Sequence, residues 1–165
     1  MNILELCLVP ALGGLELYFH RCCIELKQKG HTVLSVRLTG SRLEALGEKD
    51  GIPTQSLTRG NKLFPLGNAR HLVDLIAEYQ IDIVHAHHKD DLPLAALTKS
   101  ISKRSFKLVF TRQMPLKHKK KDPYHCWLYT KIDLMITITD QLKRDALEKF
   151  ISARQGLGWY SIFFL

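Results

Sequence analysis

The densest run of chemistry-bearing side chains is His85-Ala86-His87-His88-Lys89-Asp90-Asp91. It closes the short apolar stretch Ile81-Asp82-Ile83-Val84, which has the length of a strand. Period-two alternation puts His85 and His87 on one side of that strand, while His88 opens the turn. By this register His87 is expected at the strand's mouth, His85 deeper and packed, and His88 in solvent. A histidine at a strand end can hydrogen-bond a ligand or shuttle a proton near neutral pH, and the plainer alternative for each is a solvated loop side chain. A zinc site needs three or four converging ligands. No second Cys/His group with ligand spacing occurs, and Cys7, Cys22, Cys23 and Cys126 form no C-x-x-C pair, so no metal is expected.

Two further stretches could bind a ligand. Pro10-Ala11-Leu12-Gly13-Gly14 links the apolar run Asn2 to Val9 to a stripe of helical period, Leu15, Tyr18, Phe19, Cys22, Cys23 and Leu26. Glu16 falls in the first turn, where the helix dipole favours an acid, and Lys27, Lys29 and Gly30 supply a basic last turn and a stop. A glycine pair at a helix N-terminus lets an anion approach free N–H groups, or it serves only as a tight turn. The nicotinamide dinucleotide fingerprint is excluded: only two adjacent glycines occur, and the next strand, Thr32 to Leu38, runs into Thr39-Gly40-Ser41 without an acid. Cys22 and Cys23 fall on the buried stripe and are expected to pack as small apolar residues, which suits a reducing cytosol. The second stretch, Arg112 to Lys121, is strongly basic through Lys117, Lys119, Lys120 and Lys121. It is a solvated face or, beside Tyr124 and Trp127, a contact for anionic lipid head groups. Nucleic acid is not expected, because neither a stacking platform nor a recognition helix accompanies the charge.

These stretches need a scaffold. The 165 residues suit one domain, with 45% hydrophobic and 24% charged residues in the ordinary globular range. The net charge of +8 favours anionic partners. No leader is visible and no run approaches the ~18 apolar residues of a membrane span, so a cytoplasmic protein is expected, meeting any membrane from the side. After the second strand come a short helix at Ser41 to Lys49, a weak edge strand at Ile52 to Leu57, and a helix that Asn68 could cap. The histidine strand leads into a helix carrying Leu92, Leu94 and Leu97. A fifth strand spans Phe106 to Thr111 and a sixth Leu134 to Ile138, followed by a helix capped by Thr139 or Asp140. This alternation implies an α/β fold, a doubly wound, mostly parallel, Rossmann-like sheet with right-handed crossovers. Ligands of such sheets bind outside the C-terminal strand ends, where Gly13-Gly14, His85 to Asp91, Arg112 to Lys121 and Thr139-Asp140 all fall.

Three segments together carry a resemblance. Leu8 to Glu16 with Glu25 to Val33, Ile81 to His88, and Asp133 to Thr139 resemble, in order and spacing, the N-terminal part of retaining glycosyltransferases of the family-four group. That family has two Rossmann-like domains with the active site in the cleft between them. The resemblance implies that Gly13, Gly14 and Glu16 lie near the diphosphate and transferred sugar of a nucleotide-sugar donor, with Thr139 also on the substrate side. It implies that His87 acts on the donor sugar, and that Arg112 and its loop face a lipid-linked or lipopolysaccharide-type acceptor. Gln113 departs from the family at a position often held by histidine. No cofactor is implied. The expected domain is 1–150, and 151–165, ending Trp159 to Leu165, is expected to be an apolar tail from a truncated or frame-shifted product. Such a chain is expected to lack the second, nucleotide-binding domain and so to be inactive alone. The alternative is a non-catalytic Rossmann-like module that binds an anionic ligand or the inner membrane face.

Overall fold

The computed structural model describes residues 1–60, 65–115 and 122–146, and the backbone of 147–150. Lys117, Lys119, Lys120, Lys121 and the segment 151–165 lie outside the described residues. The elements are β1 (Asn2–Cys7), α1 (Gly14–Gln28), β2 (Thr32–Leu38), α2 (Arg42–Lys49), β3 (Thr54–Leu57), α3 (Leu66–Glu78), β4 (Ile83–Ala86), α4 (Leu92–Ile101), β5 (Lys107–Arg112), α5 (Pro123–Thr130), β6 (Leu134–Thr137) and α6 (Asp140–Phe150). The six strands form one sheet in the order β3-β2-β1-β4-β5-β6, and every pairing is parallel. Strand order therefore reverses between β1 and β4, the crevice where open α/β sheets bind ligands.

Alternation along the strands gives the two faces different chemistry. On one face Leu4, Leu6, Leu34, Val36, Val84, Ala86, Leu108 and Phe110 pack with Leu72 and Ile76 of α3, Leu94 and Ala95 of α4 and Leu128 of α5. This face is apolar along its centre, as a parallel sheet under helices requires. On the other face Cys7 and Val33 pack with Phe19 and Cys23 of α1 and Leu43 of α2. Here the register also aligns Ser35, Glu5, His85 and Val109 in a row across β2, β1, β4 and β5. The central strand thus carries a charged residue in mid-sheet, on the side facing α1.

Local signals set most of the element ends. Ser41 caps α2 by accepting from Glu44 N at 3.1 Å, and Asp122 caps α5 by accepting from His125 N at 3.1 Å. Thr139 Oγ1 accepts from Leu142 N at 3.2 Å and caps α6. Asn68 does not cap α3: that helix already starts at Leu66, and the Asn68 amide donates to the Thr58 carbonyl at 2.9 Å. Cys23 is buried as the apolar stripe implies, whereas Cys22 is half-exposed. No described helix is long and apolar enough to cross a membrane.

Candidate functional site

The parallel register sets Glu5 of β1 beside His85 of β4, at the reversal of strand order. His85 Nδ1 donates to Glu5 Oε1 at 3.1 Å, and His87 Nε2 donates to Glu5 Oε2 at 2.6 Å. His85 Nε2 pairs with Thr111 Oγ1 of β5 at 2.7 Å. His87, one residue beyond β4, also donates its backbone N–H to the Leu6 carbonyl at 3.2 Å, which extends the ladder to it. The two imidazoles lie 4.0 Å apart, and the edge of the Phe19 ring meets His87 at 5.2 Å. One carboxylate thus bridges two histidines across the switch point.

Burial is the reverse of the expectation from alternation alone. His87 is 1% exposed and His85 8%. The cause is α1, whose Tyr18 and Phe19 cover the end of the strand more completely than its middle. His87 therefore lies beneath the α1 helix, not at an open mouth. His88 is half-buried in the turn, where its Nδ1 accepts from Asp90 N at 3.3 Å.

Burial alone would raise the Glu5 carboxyl, but the charge and hydrogen bonds of His85 and His87 outweigh it and hold Glu5 ionised, well below the usual carboxylate range. Burial pushes His87 down to about 4, with His85 adding to the shift and Glu5 opposing it. His87 is therefore neutral near pH 7, with its one ring proton on Nε2. Its Nδ1 is buried and has no hydrogen-bond partner among the described residues. The Cys22 thiol beside this cluster is pushed up by burial to about 12, and Cys7 and Cys23 are raised further, so none of the three is a thiolate nucleophile at neutral pH.

Glu5, His85 and His87 also form a group whose ligand atoms lie within 4.8 Å of one another, a set that could hold a metal ion. Metal ligation at His87 Nε2 would move the ring proton to Nδ1, where no acceptor lies among the described residues. The two imidazole N–H groups already satisfy both carboxylate oxygens.

The remaining residues gather at the same sheet edge in different states. Gly13 is the N-cap of α1, and its N–H donates at 2.7 Å to Oε2 of Glu16, which is buried. The acid thus occupies one donor of the helix terminus. Gly14 stays open, because a methyl group placed on its Cα would meet nothing within 4 Å beyond its chain neighbours and its own helix backbone. Thr139 is exposed at the end of β6. Arg112 is 7% exposed, because alternation turns it to the apolar face, where its guanidinium hydrogen-bonds the Tyr129 hydroxyl. Its side chain therefore does not reach out from the sheet edge, contrary to the acceptor-facing expectation. Trp127 is half-buried, packed against the core and 6.0 Å from the Tyr124 ring.

The burial of three polar groups escapes a reading of motifs. Glu5 is the first, although an acid inside Ile3-Leu4-Glu5-Leu6 is itself a signal. Asp91 is the second: it is 4% exposed, accepts from Leu8 N at 3.0 Å, and borders a small cavity with Arg59, Asn68 and Leu94. Burial pushes its carboxyl up to about 7, against the lowering by the Leu8 N–H. The third is Arg37, which donates to His20 Nδ1 at 3.2 Å, while His20 Nε2 donates to Asp50 at 2.7 Å.

The family model described as Glycosyltransferase Family 4 matches residues 12–155. No curated protein sequence matches the chain. Among solved structures, a glycosyltransferase from Rickettsia africae is 21% identical with a TM-score of 0.73, over 97% of this chain and 42% of that one. Anabaena HepE, solved with UDP and glucose, is 20% identical with a TM-score of 0.67, over 99% of this chain and 44% of its own. The lipopolysaccharide outer core galactosyltransferase WaaB is 15% identical with a TM-score of 0.65, over 93% and 43%. These likenesses show the fold, and the chain spans a little over two-fifths of the length of each structure.

Proposed function

The chain belongs to Glycosyltransferase Family 4, and on that premise we propose that it forms the acceptor-side domain of an enzyme moving a sugar from a nucleotide-sugar donor to a lipid-linked or lipopolysaccharide-type acceptor. The observation that carries this reading is that the Gly13-Gly14 turn follows β1 and the His85–His87 stretch ends β4, the two neighbouring strands at the reversal of strand order. A donor lying there would place its diphosphate over the open side of Gly14 and the α1 N-terminus, where backbone donors and the helix dipole favour an anion. Glu16 would yield its hold on Gly13 N, and His87 would lie beneath the transferred sugar. Thr139 borders the same edge. HepE was solved with UDP-glucose, which supports a donor of that class. The acceptor would meet the loop that follows Arg112, and the lysines of that loop together with Trp127 would hold an anionic membrane surface from the cytoplasmic side.

The test joins residues 1–150 to the second Rossmann-like domain of a relative and supplies labelled nucleotide sugars with membrane lipid extract. Labelled lipid is expected, with less than a tenth as much when Gly14→Val blocks the turn. If the folded chimera binds UDP yet neither hydrolyses nor transfers from any nucleotide sugar, the enzyme reading falls and a non-catalytic anion-binding module takes its place.

A further inference from the structure

The bridge through Glu5 fixes more than the position of two rings. A neutral imidazole has one N–H and one lone pair, and the hydrogen bond at one nitrogen decides which nitrogen keeps the lone pair. Glu5, ionised and fully buried, can only accept. Each ring nitrogen that faces it must therefore carry a proton: Nδ1 on His85 and Nε2 on His87. His85 Nε2 meets Thr111 Oγ1 at 2.7 Å, so both nitrogens of that ring have a partner. Among the described residues no such group meets His87 Nδ1, a buried nitrogen without a partner.

We infer that Glu5 is a positioning residue that locks His87 in the Nε2–H tautomer and so leaves Nδ1 as a buried hydrogen-bond acceptor at the switch point. A bare nitrogen there can accept from an O–H or N–H donor and repels the oxygens of an anion. A positioning role through a second residue is the arrangement by which carboxylates orient histidines elsewhere in protein chemistry.

The test reads ring nitrogens directly. Long-range nitrogen–proton NMR spectra of the chain, labelled with nitrogen-15 in histidine, are recorded without ligand at pH 7. For His87, Nε2 is expected to carry the proton and Nδ1 to show the shift of a bare nitrogen. Glu5→Gln replaces one accepting oxygen by an amide that donates, so one of the two rings must move its proton to the other nitrogen. Backbone amide spectra outside β1 and β4 report whether that variant keeps its fold. A proton on His87 Nδ1 in the unaltered chain overturns the inference. So does a folded Glu5→Gln in which both rings keep their tautomers. If Glu5→Gln does not fold, the unaltered chain decides alone, because a ring donating to Glu5 through Nε2 cannot also carry a proton on Nδ1 when neutral. Adding zinc sulfate is a further arm: unchanged ring signals are expected, and a shift of the His87 proton to Nδ1 would make the cluster a metal site and overturn the lock. Failure here would leave the sugar-transfer assay untouched, and failure of that assay would leave the tautomers as read.

Discussion

Removing one partner from a buried ionic cluster leaves the others without compensation, and this decides what single substitutions do at the switch point. His87→Ala and His85→Ala each strip Glu5 of one donor inside the sheet. Each is expected to lower stability by about 1–3 kcal/mol, while His88→Ala, in the half-buried turn, should stay within about 0.5 kcal/mol. Urea titration of the three variants checks this, and equal stability for all three would mean that the cluster contributes nothing. The pH dependence follows from the same groups. His87, with a folded value near 4 against 6.5, binds its proton more readily when unfolded, so its contribution is lost as pH falls from about 6.5 to 4. Asp91 has the opposite sign: its folded value near 7 against 3.8 means that stability falls as pH rises through that range. The two oppose each other between about pH 4 and 6.5. Asp91→Asn keeps an acceptor for Leu8 N and removes the opposing group, so the variant's stability should rise with pH across that window more steeply than the parent's. Denaturation midpoints measured from pH 4 to 7 decide it.

At the scale of elements, caps and close approaches are what a substitution can address. Ser41→Ala removes the acceptor for Glu44 N and should cost α2 about 1 kcal/mol. Gly47 of the same helix has a more exacting reason: a methyl group there would lie 2.6 Å from Cζ of the buried Arg37. Arg37 also hydrogen-bonds the Leu43 carbonyl and Ser35 Oγ, so it cannot simply move aside. Gly47→Ala is expected to cost about 1–3 kcal/mol by overpacking, and a melting temperature equal to the parent's would contradict the packing. The elements themselves are legible in the sequence. The bounds of β2 match the apolar run from Thr32, and the edge position of β3 agrees with the proline just before it. What the sequence does not supply is the partner of the strand-end histidines, because Glu5 lies 80 positions from His85 and meets it only through the neighbouring of β1 and β4. The depth of His87 is hidden for a related reason: α1 sets it, and alternation within a strand knows nothing of the helix above. Arg112 departs from its expected place because it lies two residues past Phe110 on β5, on the same face, opposite Thr137 of β6, rather than with the basic loop it opens.

For the molecule as a whole, charge and the sheet edge point the same way. The excess of +8 includes four lysines between 117 and 121, beyond the end of β5. If that loop meets anionic lipid, each basic residue near the surface contributes about 1 kcal/mol. Binding to phosphatidylserine vesicles should then weaken sharply as salt shrinks the Debye length to roughly 3 Å at 1 M. Replacing Lys117, Lys119, Lys120 and Lys121 with Gln should abolish it, and co-sedimentation unchanged by that replacement would remove the loop from the proposal.

The placing of a carboxylate in mid-sheet also has a consequence in time. β1 can pair with β2 early, since only α1 and short turns separate them, but its other neighbour β4 is made some fifty residues later in the chain. Until β4 arrives, Glu5 has no imidazole donor, and enclosing its charge would be costly, so the half-built sheet must keep that face wet. Closing of the β1–β4 seam and drying of the carboxylate therefore become one event. Refolding followed by stopped flow is expected to show the main barrier at this seam, with Glu5→Gln speeding the step that buries it even while the finished protein is less stable.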